Sequence, residues 1–138
     1  MASIIYNNFW NALCKGNVDL DSDTFKVMLV TSSYTENKDT HTNRNNVTNE
    51  VTGTGYTAGG NTVTVTVQNV DTANDRQEIT LGGTTWPNST ITARKAIYYK
   101  DTGNAATDIL VACIDFGTDI STSAGTFTLN ASTIRIQN

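Results

Sequence analysis

The order of hydrophobic and polar positions divides the chain into a short helical segment and a longer alternating one. Near the start, apolar side chains recur at Ile5, Phe9 and Leu13, with Trp10 beside them, and Gly16 follows as a typical helix stop. This spacing predicts one α-helix over residues 4–15. Because the helix carries several aromatic side chains, we expect it to cover an end or a face of the fold, with Trp10 buried, rather than to extend as a loose arm.

After the helix the hydrophobic period changes to two, which is the period of strands that bury one face. The clearest example is the run of residues 62–67, in which valines alternate with threonines. Residues 24–31 form a strongly apolar run after an Asp-rich turn and are also predicted to be a strand. Further strands, separated by clusters of turn residues, are predicted at 77–81, 90–99, 108–116, 126–129 and 133–136, with a short one at 47–51. About eight short strands predict an all-β fold, a β-sandwich or jelly roll with one N-terminal α-helix, in a single domain over residues 1–138.

Three aromatic side chains outside the helix are assigned from their neighbours. Trp86 precedes the only proline, Pro87, and is predicted to anchor a turn at the edge of the sandwich. Tyr98 and Tyr99 are adjacent in a predicted strand and therefore point to opposite faces. One of these tyrosines is expected in the core, and the other at the surface or at an interface.

Composition narrows the class of protein. The chain has 138 residues, of which 38% are hydrophobic and 16% charged, with a formal net charge of −4 and a pI near 4.7. Its wealth of Thr, Val and Ile favours a folded β protein over a disordered chain. The basic residues form no stripe, so we do not expect nucleic acid as a partner. The longest apolar runs are far shorter than the roughly 20 residues of a membrane span, and residues 1–8 lack the features of a secretory signal.

The two cysteines, Cys14 and Cys113, are far apart in the sequence and form no C-x-x-C motif. Each lies among apolar neighbours, and two small buried thiols are expected. A disulfide between them requires that the fold bring their Cα atoms within about 7 Å, which the sequence leaves open.

The segment from Asp19 through Asp21 to Asp23 begins like a calcium-binding loop, with carboxylates at alternate positions. Thr24 occupies the sixth position, where the sharp turn needs glycine, and Val30 occupies the twelfth, where a bidentate glutamate belongs. The segment is therefore interpreted as a solvated turn. No metal or other cofactor is expected.

The remaining candidates for catalysis are weak. His41 is the only histidine and is expected to be exposed in a polar loop, which leaves any catalytic triad without a fixed base. Asp115 and Asp119 could be neighbouring carboxylates for glycoside hydrolysis, although turns commonly carry Asp for conformational reasons. The glycines of residues 53–60 precede a strand pattern and not a helix, so they are interpreted as positive-φ turn residues rather than as a phosphate-binding loop. We do not expect an enzyme.

The stretch of residues 32–46 is polar and has no hydrophobic periodicity. Loops of this length in compact domains are mostly either functional or poorly ordered. On the functional interpretation, the partner-binding candidates in and beside it are Tyr34, Asn37, His41, Arg44 and Val47. The alternative is a flexible surface loop without a binding role.

With these segments assigned, the chain resembles a family of small virion structural proteins of tailed bacteriophages. The resemblance covers nearly the whole chain. It is carried by these segments, in this order: Tyr6-Asn7-x-Phe9, Val18-Asp19-Leu20-Asp21-Ser22-Asp23-Thr24-Phe25-Lys26-Val27, Leu29-Val30-Thr31-Ser32-Ser33-Tyr34, Val47-Thr48-Asn49-Glu50-Val51-Thr52-Gly53-Thr54-Gly55-Tyr56-Thr57-Ala58-Gly59-Gly60, Ala93-Arg94-x-Ala96, Tyr99-Lys100-Asp101-Thr102-Gly103 and Ile114-Asp115-Phe116-Gly117-Thr118-Asp119.

The resemblance implies a β-sandwich that decorates or cements the capsid shell. It implies that the protein binds the major capsid protein across capsomer boundaries and associates with further copies of itself as a dimer or trimer. Such a protein is made in the host cytoplasm and resides on the capsid surface of the virion. The family offers no catalytic residues to transfer. Arg135 places a charge in the last predicted strand, where such proteins tend to end in an apolar strand.

The sequence is also compatible with two functions of other classes. A tail-associated module that recognises host carbohydrate is also a β protein rich in Thr, Asn and Gly. A glycosidase needs an exposed cleft with two carboxylates about 5 to 9.5 Å apart. The number of copies in each particle separates the first of these from a decoration protein, because decoration proteins are abundant and tail modules are few.

Overall fold

A computed structural model describes residues 3–138 of the chain. Met1 and Ala2, which begin the segment where no secretory signal is expected, lie outside the described residues. The elements in chain order are β1 (Ile4–Ile5), α1 (Asn7–Cys14), β2 (Phe25–Val30), a 3-10 helix (Arg44–Asn46), β3 (Asn61–Val63), β4 (Val65–Val67), β5 (Arg76–Leu81), β6 (Thr84–Ser89), β7 (Thr92–Lys100), β8 (Ile109–Ser121), β9 (Gly125–Leu129) and β10 (Ser132–Gln137).

The strands form one large antiparallel sheet and two small ones. The large sheet has the order β1-β8-β7-β2-β3, and the small sheets are β10-β5-β4 and β6-β9. One face of the large sheet packs against both small sheets in a single apolar core. Side chains from all three sheets meet in this core, including Val27, Leu29 and Tyr98 of the large sheet, Ile79, Leu81 and Ile134 of the three-stranded sheet, and Trp86, Phe127 and Leu129 of the two-stranded sheet. The predicted all-β, sandwich-like fold with one N-terminal helix is confirmed.

The helix is shorter than predicted because its first residues pair as a strand. Ile4 and Ile5 lie opposite Cys113 and Ala112 of β8, and the helix begins only at Asn7. Edge pairing to β8 gives this short segment hydrogen-bond partners that a frayed first helical turn lacks. The helix covers part of the sandwich core, as expected, and its buried aromatic residue is Phe9.

Trp10 was expected to be buried, and the structure corrects this prediction. The indole is half-buried and packs against the rim of the core, with its ring centroid 5.1 Å from that of Phe9. Adjacent helical positions point about 100° apart, so only one of the two aromatic rings can point directly at the core. Phe9 takes that position.

The alternating valine run is divided between two sheets. The sequence predicts one strand over residues 62–67, whereas Val63 ends β3 in the large sheet and Val65 begins β4 in a small one. Between them, the carbonyl of Thr64 accepts a hydrogen bond of 2.8 Å from the Gly82 amide. The chain thus turns a corner of the sandwich while keeping its alternation, as strands that change sheets do.

The segment around Trp86 is a strand and not a turn, which corrects the prediction. Trp86 lies opposite Phe127 in β6, and its side chain is only 2% exposed in the core. The register of β6 with β9 shifts between Trp86 and Ser89, and this irregularity accommodates Pro87 within a strand. The short strand predicted at 47–51 is also not formed, since only an isolated bridge joins Glu50 to Val30.

Both faces of the large sheet are buried, which the alternation did not predict. Residues 31–49 connect β2 to the following turn and lie across the outer face, on the side away from the sandwich core. Tyr98 lies in the sandwich core and Tyr99 in a second cluster on the outer face, at 0% and 1% exposure. The expectation that one of these tyrosines is exposed is therefore wrong. We call this second set of buried residues the outer cluster: Tyr6, Met28, Val30, Tyr34, Ile97, Tyr99, Leu110 and Cys113.

The two cysteines have different environments. Cys113 is buried in the outer cluster, as expected, whereas Cys14 at the end of the helix is exposed. Both are free thiols, so the open question of a disulfide between them is answered in the negative. The buried position of Cys113 raises the pKa of its thiol to about 12.

The last strand pairs despite its charge. β10 aligns antiparallel with β5, and Arg135 lies opposite Glu78, with Nη2 2.9 Å from Oε1. Ile134 points the other way, into the core. The guanidinium therefore occupies the solvent face of the strand, where it has a carboxylate partner.

No helix in the part of the chain that the structure describes has the length and hydrophobicity needed to cross a membrane.

Candidate functional site

The predicted contact segment belongs to a loop that covers the outer face of the large sheet. We call residues 31–49 the cover loop. Its ends are held together at the base, where the Thr31 amide donates a 3.0 Å hydrogen bond to the carbonyl of Asn49. Next to it, the Val51 amide donates to the carbonyl of Leu29 at 2.9 Å. The cover loop is thus closed at its base by backbone hydrogen bonds, like a compact surface loop packed by its own side chains.

Tyr34 attaches the first half of the cover loop to the sheet. Its side chain is buried, and its hydroxyl lies 2.9 Å from the hydroxyl of Tyr6 and 2.9 Å from Nδ1 of His41. The rings of Tyr34 and His41 stack with centroids 5.7 Å apart. Burial raises the pKa of Tyr34 to about 12, so this hydroxyl remains neutral at physiological pH. His41 was expected to be an exposed loop histidine, and it is instead half-buried in this hydrogen-bond chain.

Lys95 of β7 forms a second attachment. Its Nζ donates a 2.9 Å hydrogen bond to the carbonyl of Tyr34 and contacts the carboxylate of Glu36 in an ion pair. Lys95 and Glu36 were not among the predicted site residues. The sequence contained one indication of this role, because Lys95 precedes Ile97 by two residues and Tyr99 by four in a predicted strand and therefore shares a face with them. A charge among apolar side chains needs a buried partner.

Arg44 attaches the second half of the loop, at the 3-10 helix. Its Nε donates to Oδ2 of Asp108 at 2.6 Å, and its guanidinium lies 5.2 Å from the ring centroid of Tyr99. The Asp108 carboxylate also accepts hydrogen bonds from the amide and the hydroxyl of Thr102, at 2.7 and 2.8 Å. Burial alone raises the pKa of Asp108, but the hydrogen bonds from Arg44 and Thr102 outweigh it and hold this pKa below 3.8.

The two remaining predicted residues have separate positions. Val47 is half-buried and packs against the outer cluster. Asn37 is exposed at the tip, where its side-chain oxygen accepts hydrogen bonds from the amides of Asp39 and Thr40 at 3.0 and 3.1 Å. The structure therefore directs Tyr34, His41, Arg44 and Val47 toward the sheet. Of the five candidates, only Asn37 lies on the fully exposed side of the loop.

The exposed side of the cover loop is polar. We call this set the crest: Ser32, Ser33, Thr35, Asn37, Lys38, Asp39, Thr40, Asn45, Asn46, Thr48 and Asn49. Its tip is joined to the start of the helix, since the Asn7 amide donates to the carbonyl of Lys38 at 3.0 Å and the Asn7 side chain donates to Asp39 at 2.6 Å. The cover loop therefore presents hydrogen-bonding groups to solvent, while its inward side chains hold its backbone against the large sheet.

A second exposed surface lies at one end of the three-stranded sheet. Val67, Val70 and Ile136 are 40%, 66% and 44% exposed, and we call these three residues the apolar end. Val67 lies opposite Ile79, and Ile136 follows Ile134 by two residues, so both continue the inner face of the sheet past the core. The two outer strands of this sheet, β4 and β10, are its edges.

A third surface is a hydroxyl-rich groove of about 350 Å³ beside the base of the cover loop. Its lining includes Thr31, Glu50, Thr52, Thr90, Thr92 and Thr122. One carboxylate oxygen of Glu50 accepts hydrogen bonds of 2.7 Å from the Tyr56 hydroxyl and 2.7 Å from the Gly59 amide. Among the described residues that line the groove, Glu50 alone carries a charge.

The acidic segment before β2 is a turn held by its own hydrogen bonds. The side chain of Asp19 accepts from the Asp21 amide at 3.0 Å, and that of Asp23 accepts from the Asp19 amide at 2.7 Å. Asp23 also pairs with Nζ of Lys100 at 2.9 Å. Among residues 3–138, no group of three or more His, Cys, Asp or Glu side chains is arranged to hold a metal ion.

The carboxylates considered for glycoside hydrolysis both lie in β8. Asp115 accepts hydrogen bonds from Nε of Arg94 at 3.0 Å and from the Gly117 amide at 2.8 Å, while Asp119 is exposed farther along the strand. Asp115 therefore already serves as the partner of an arginine and of a backbone amide in its own strand.

The glycine-rich segment is a turn, as predicted. Gly53, Gly55, Gly59 and Gly60 all have positive φ, and the segment leads directly into β3. Their role in supplying this backbone conformation is confirmed.

No protein-family model, curated protein or solved structure matches this chain.

The buried pairing of Asp108 predicts an acid-dependent loss of stability. Its lowered pKa in the folded protein stabilises the fold above the unfolded value of 3.8, and this contribution is lost as the pH falls through the folded pKa. Asp108→Asn is expected to lower the free energy of unfolding by about 1–3 kcal/mol at neutral pH and to flatten the decline below pH 3.8. Thermal melting against pH measures both effects. Asp21→Asn, in an exposed turn, is the control; a parallel acid profile for Asp108→Asn and wild type contradicts the prediction.

Proposed function

We propose that the protein is a structural protein of the bacteriophage virion that decorates or cements the capsid shell by binding the major capsid protein across capsomers. The resemblance of nearly the whole chain to small virion proteins supports this function. The structural observation that carries it is the apolar end, where Val67, Val70 and Ile136 are exposed beside two edge strands. Exposed apolar side chains grouped beside unpaired strand edges are typical of surfaces that bind another protein.

Attachment in this proposal combines two kinds of contact. The apolar end supplies buried area, and the crest supplies hydrogen-bonding groups at fixed positions. Since the cover loop is held by Tyr34, Lys95 and Arg44, its crest loses little conformational freedom on binding. A protein of this size forms only a small, weak interface with each capsid subunit. Tight binding therefore requires contact with several capsid subunits at once, or several linked copies of the protein.

The proposal predicts selective binding to assembled shells. Purified protein, mixed separately with undecorated capsids and with isolated major capsid protein, is expected to sediment with the capsids and to bind the isolated subunits weakly. Equal binding to both, or binding to neither, contradicts a bridging role.

A matched pair of variants tests the apolar end. Val70→Thr is expected to weaken binding to capsids about tenfold or more, because a loss of about 1.4 kcal/mol per contact is repeated across linked sites. Ile120→Thr also removes an exposed apolar side chain, but at β8, away from the apolar end. Its binding is expected to equal that of wild type. Equal effects of the two variants contradict a specific role for the apolar end.

A tail-associated module that recognises host carbohydrate is the second candidate function. The observation that favours it is the groove lined by threonine hydroxyls and by the fixed carboxylate of Glu50, since sugar hydroxyl groups pair with such donors and acceptors. Two measurements distinguish it from decoration. A few copies in each purified particle, together with glycan binding that Glu50→Gln abolishes, indicate the tail module. Hundreds of copies indicate decoration.

A further inference from the structure

The ion pair between Lys95 and Glu36 differs from the other ion pairs of the described residues by the burial of both partners. The Lys95 and Glu36 side chains are 5% and 4% exposed. In the Arg44–Asp108 and Arg94–Asp115 pairs the arginine is 25% and 26% exposed, so one charge of each pair retains solvent. A pair in which neither charge reaches water loses the hydration of both ions, so each charge depends on its partner for electrostatic stabilisation.

The surroundings of this pair are apolar and aromatic. Lys95 lies opposite Val30 of β2, and its Nζ is 5.9 Å from the ring centroid of Tyr34. Val30 and Tyr34 belong to the outer cluster, together with the neutral thiol of Cys113. Such surroundings exclude water from the Lys95 amine and the Glu36 carboxyl group.

The Lys95 amine and the Glu36 carboxyl group are both held in place. Lys95 projects from a central strand of the large sheet, and Nζ is fixed by its hydrogen bond to the Tyr34 carbonyl. Glu36 follows Tyr34 by two residues in the cover loop, so the residue that positions the amine also positions the segment that carries the carboxyl group. Groups oriented in this way react with effective concentrations of about 10⁵ to 10⁸ M in favourable intramolecular cases.

We propose that Lys95 and Glu36 become joined by an amide bond in the folded protein. A proton passes from the Lys95 ammonium to the Glu36 carboxylate, which gives a neutral amine and a neutral acid. Nζ then forms a bond to Cδ of Glu36, and the bond from Cδ to the protonated oxygen breaks. That oxygen leaves as water after taking a second proton from the nitrogen, which keeps one hydrogen as an amide. The step needs no oxidant, reductant or other reactant.

The cross-link has a structural consequence. It ties the cover loop covalently to β7 and replaces two buried charges with one neutral amide. Residues 36 and 95 are 59 positions apart, so the bond closes a long loop and restricts the unfolded chain, as a disulfide does. This inference does not depend on which partner the protein binds.

The mass of the intact protein tests the inference. Wild-type protein, purified in its folded form and then denatured, is expected to have a mass one water molecule below the mass calculated from its amino-acid sequence. Lys95→Arg, which keeps the positive charge but has no primary amine, is expected to show no such loss. Lys100→Arg, which alters a lysine paired with Asp23 at a partly exposed site, is the matched control and is expected to retain the loss.

Proteolysis locates the bond. A digest of the wild type is expected to contain a branched peptide that joins the segment around Glu36 to the segment around Lys95. The inference is overturned if the wild-type mass equals the mass calculated from the sequence. It is also overturned if the Lys95→Arg variant is still lighter by one water molecule. If Lys95→Arg does not fold, the wild-type mass and digest decide the question by themselves.

Discussion

Gly60→Ala is expected to prevent the protein from folding. Gly60 has a φ of +75°, and a Cβ built there would lie 1.8 Å from the carbonyl oxygen of Val27 in β2. A backbone atom in the neighbouring strand cannot move aside without breaking the pairing of β2 with β3. The expected loss of unfolding free energy exceeds about 4–5 kcal/mol, a size that few single substitutions reach. Circular dichroism and the recovery of soluble protein measure the outcome.

Gly103→Ala is the control for this prediction. Gly103 has a φ of +84°, which is similar to that of Gly60, but no atom lies within 4 Å of the added Cβ. Only the conformational cost of about 1–2 kcal/mol applies, so the variant is expected to fold and to unfold at a lower denaturant concentration. If Gly60→Ala folds with the same modest loss, the close approach between the Gly60 turn and β2 is not required for stability.

Phe9→Ala is expected to lower the free energy of unfolding by about 3–5 kcal/mol, since the ring is fully buried where the helix meets the sandwich core. Trp10→Ala removes a larger side chain from the next position, but that side chain is half-buried, and its expected cost is about 1–2 kcal/mol. Urea unfolding of the two variants compares them directly.

Which of the two variants loses more unfolding free energy tests how the helix is oriented on the core. A larger loss for Trp10→Ala than for Phe9→Ala contradicts the orientation of the helix on the core. A Trp10→Ala variant that keeps its stability but no longer binds capsids assigns the exposed part of the indole to attachment.

Burial of the outer sheet face explains why the cover loop is ordered even though it has no regular strand or long helix. Its inward side chains provide aromatic, cationic and aliphatic contacts through Tyr34, Arg44 and Val47. Variants at these positions are therefore expected to affect stability together with binding. Variants of exposed crest residues such as Asn45 and Thr48 isolate the effect on binding.

The amino-acid pattern was sufficient to predict features that depend on neighbouring residues. Apolar or alternating runs bounded by turn residues located β2, β5, β7, β9 and β10 nearly at their observed bounds, because strand length and turn chemistry are properties of consecutive residues. The positive-φ turn through Gly59 and Gly60 was likewise predictable, since glycine adopts that conformation without steric cost. The end of the helix before Gly16 follows from the same local rule.

Which segment covers each face of the large sheet depends on long-range packing. Alternation shows that Tyr98 and Tyr99 point in opposite directions, but only the path of the cover loop buries the second ring. In the same way, Ile4 and Ile5 become a strand because β8 offers an edge for them to pair with.

Long-range pairing also decided the roles of the charged residues. Lys95 and Glu36 are far apart in the sequence, and local pattern cannot assign either of them a partner. The same holds for Arg44 and Asp108, which meet only when the cover loop lies across the start of β8. Hydrophobic period is a property of a few consecutive residues, whereas the burial of a charge depends on which distant segment comes to lie against it. The sequence therefore located β2, β5, β7, β9 and β10, whereas the tertiary structure determined the remaining strand pairings and the buried polar contacts that hold the candidate site in place.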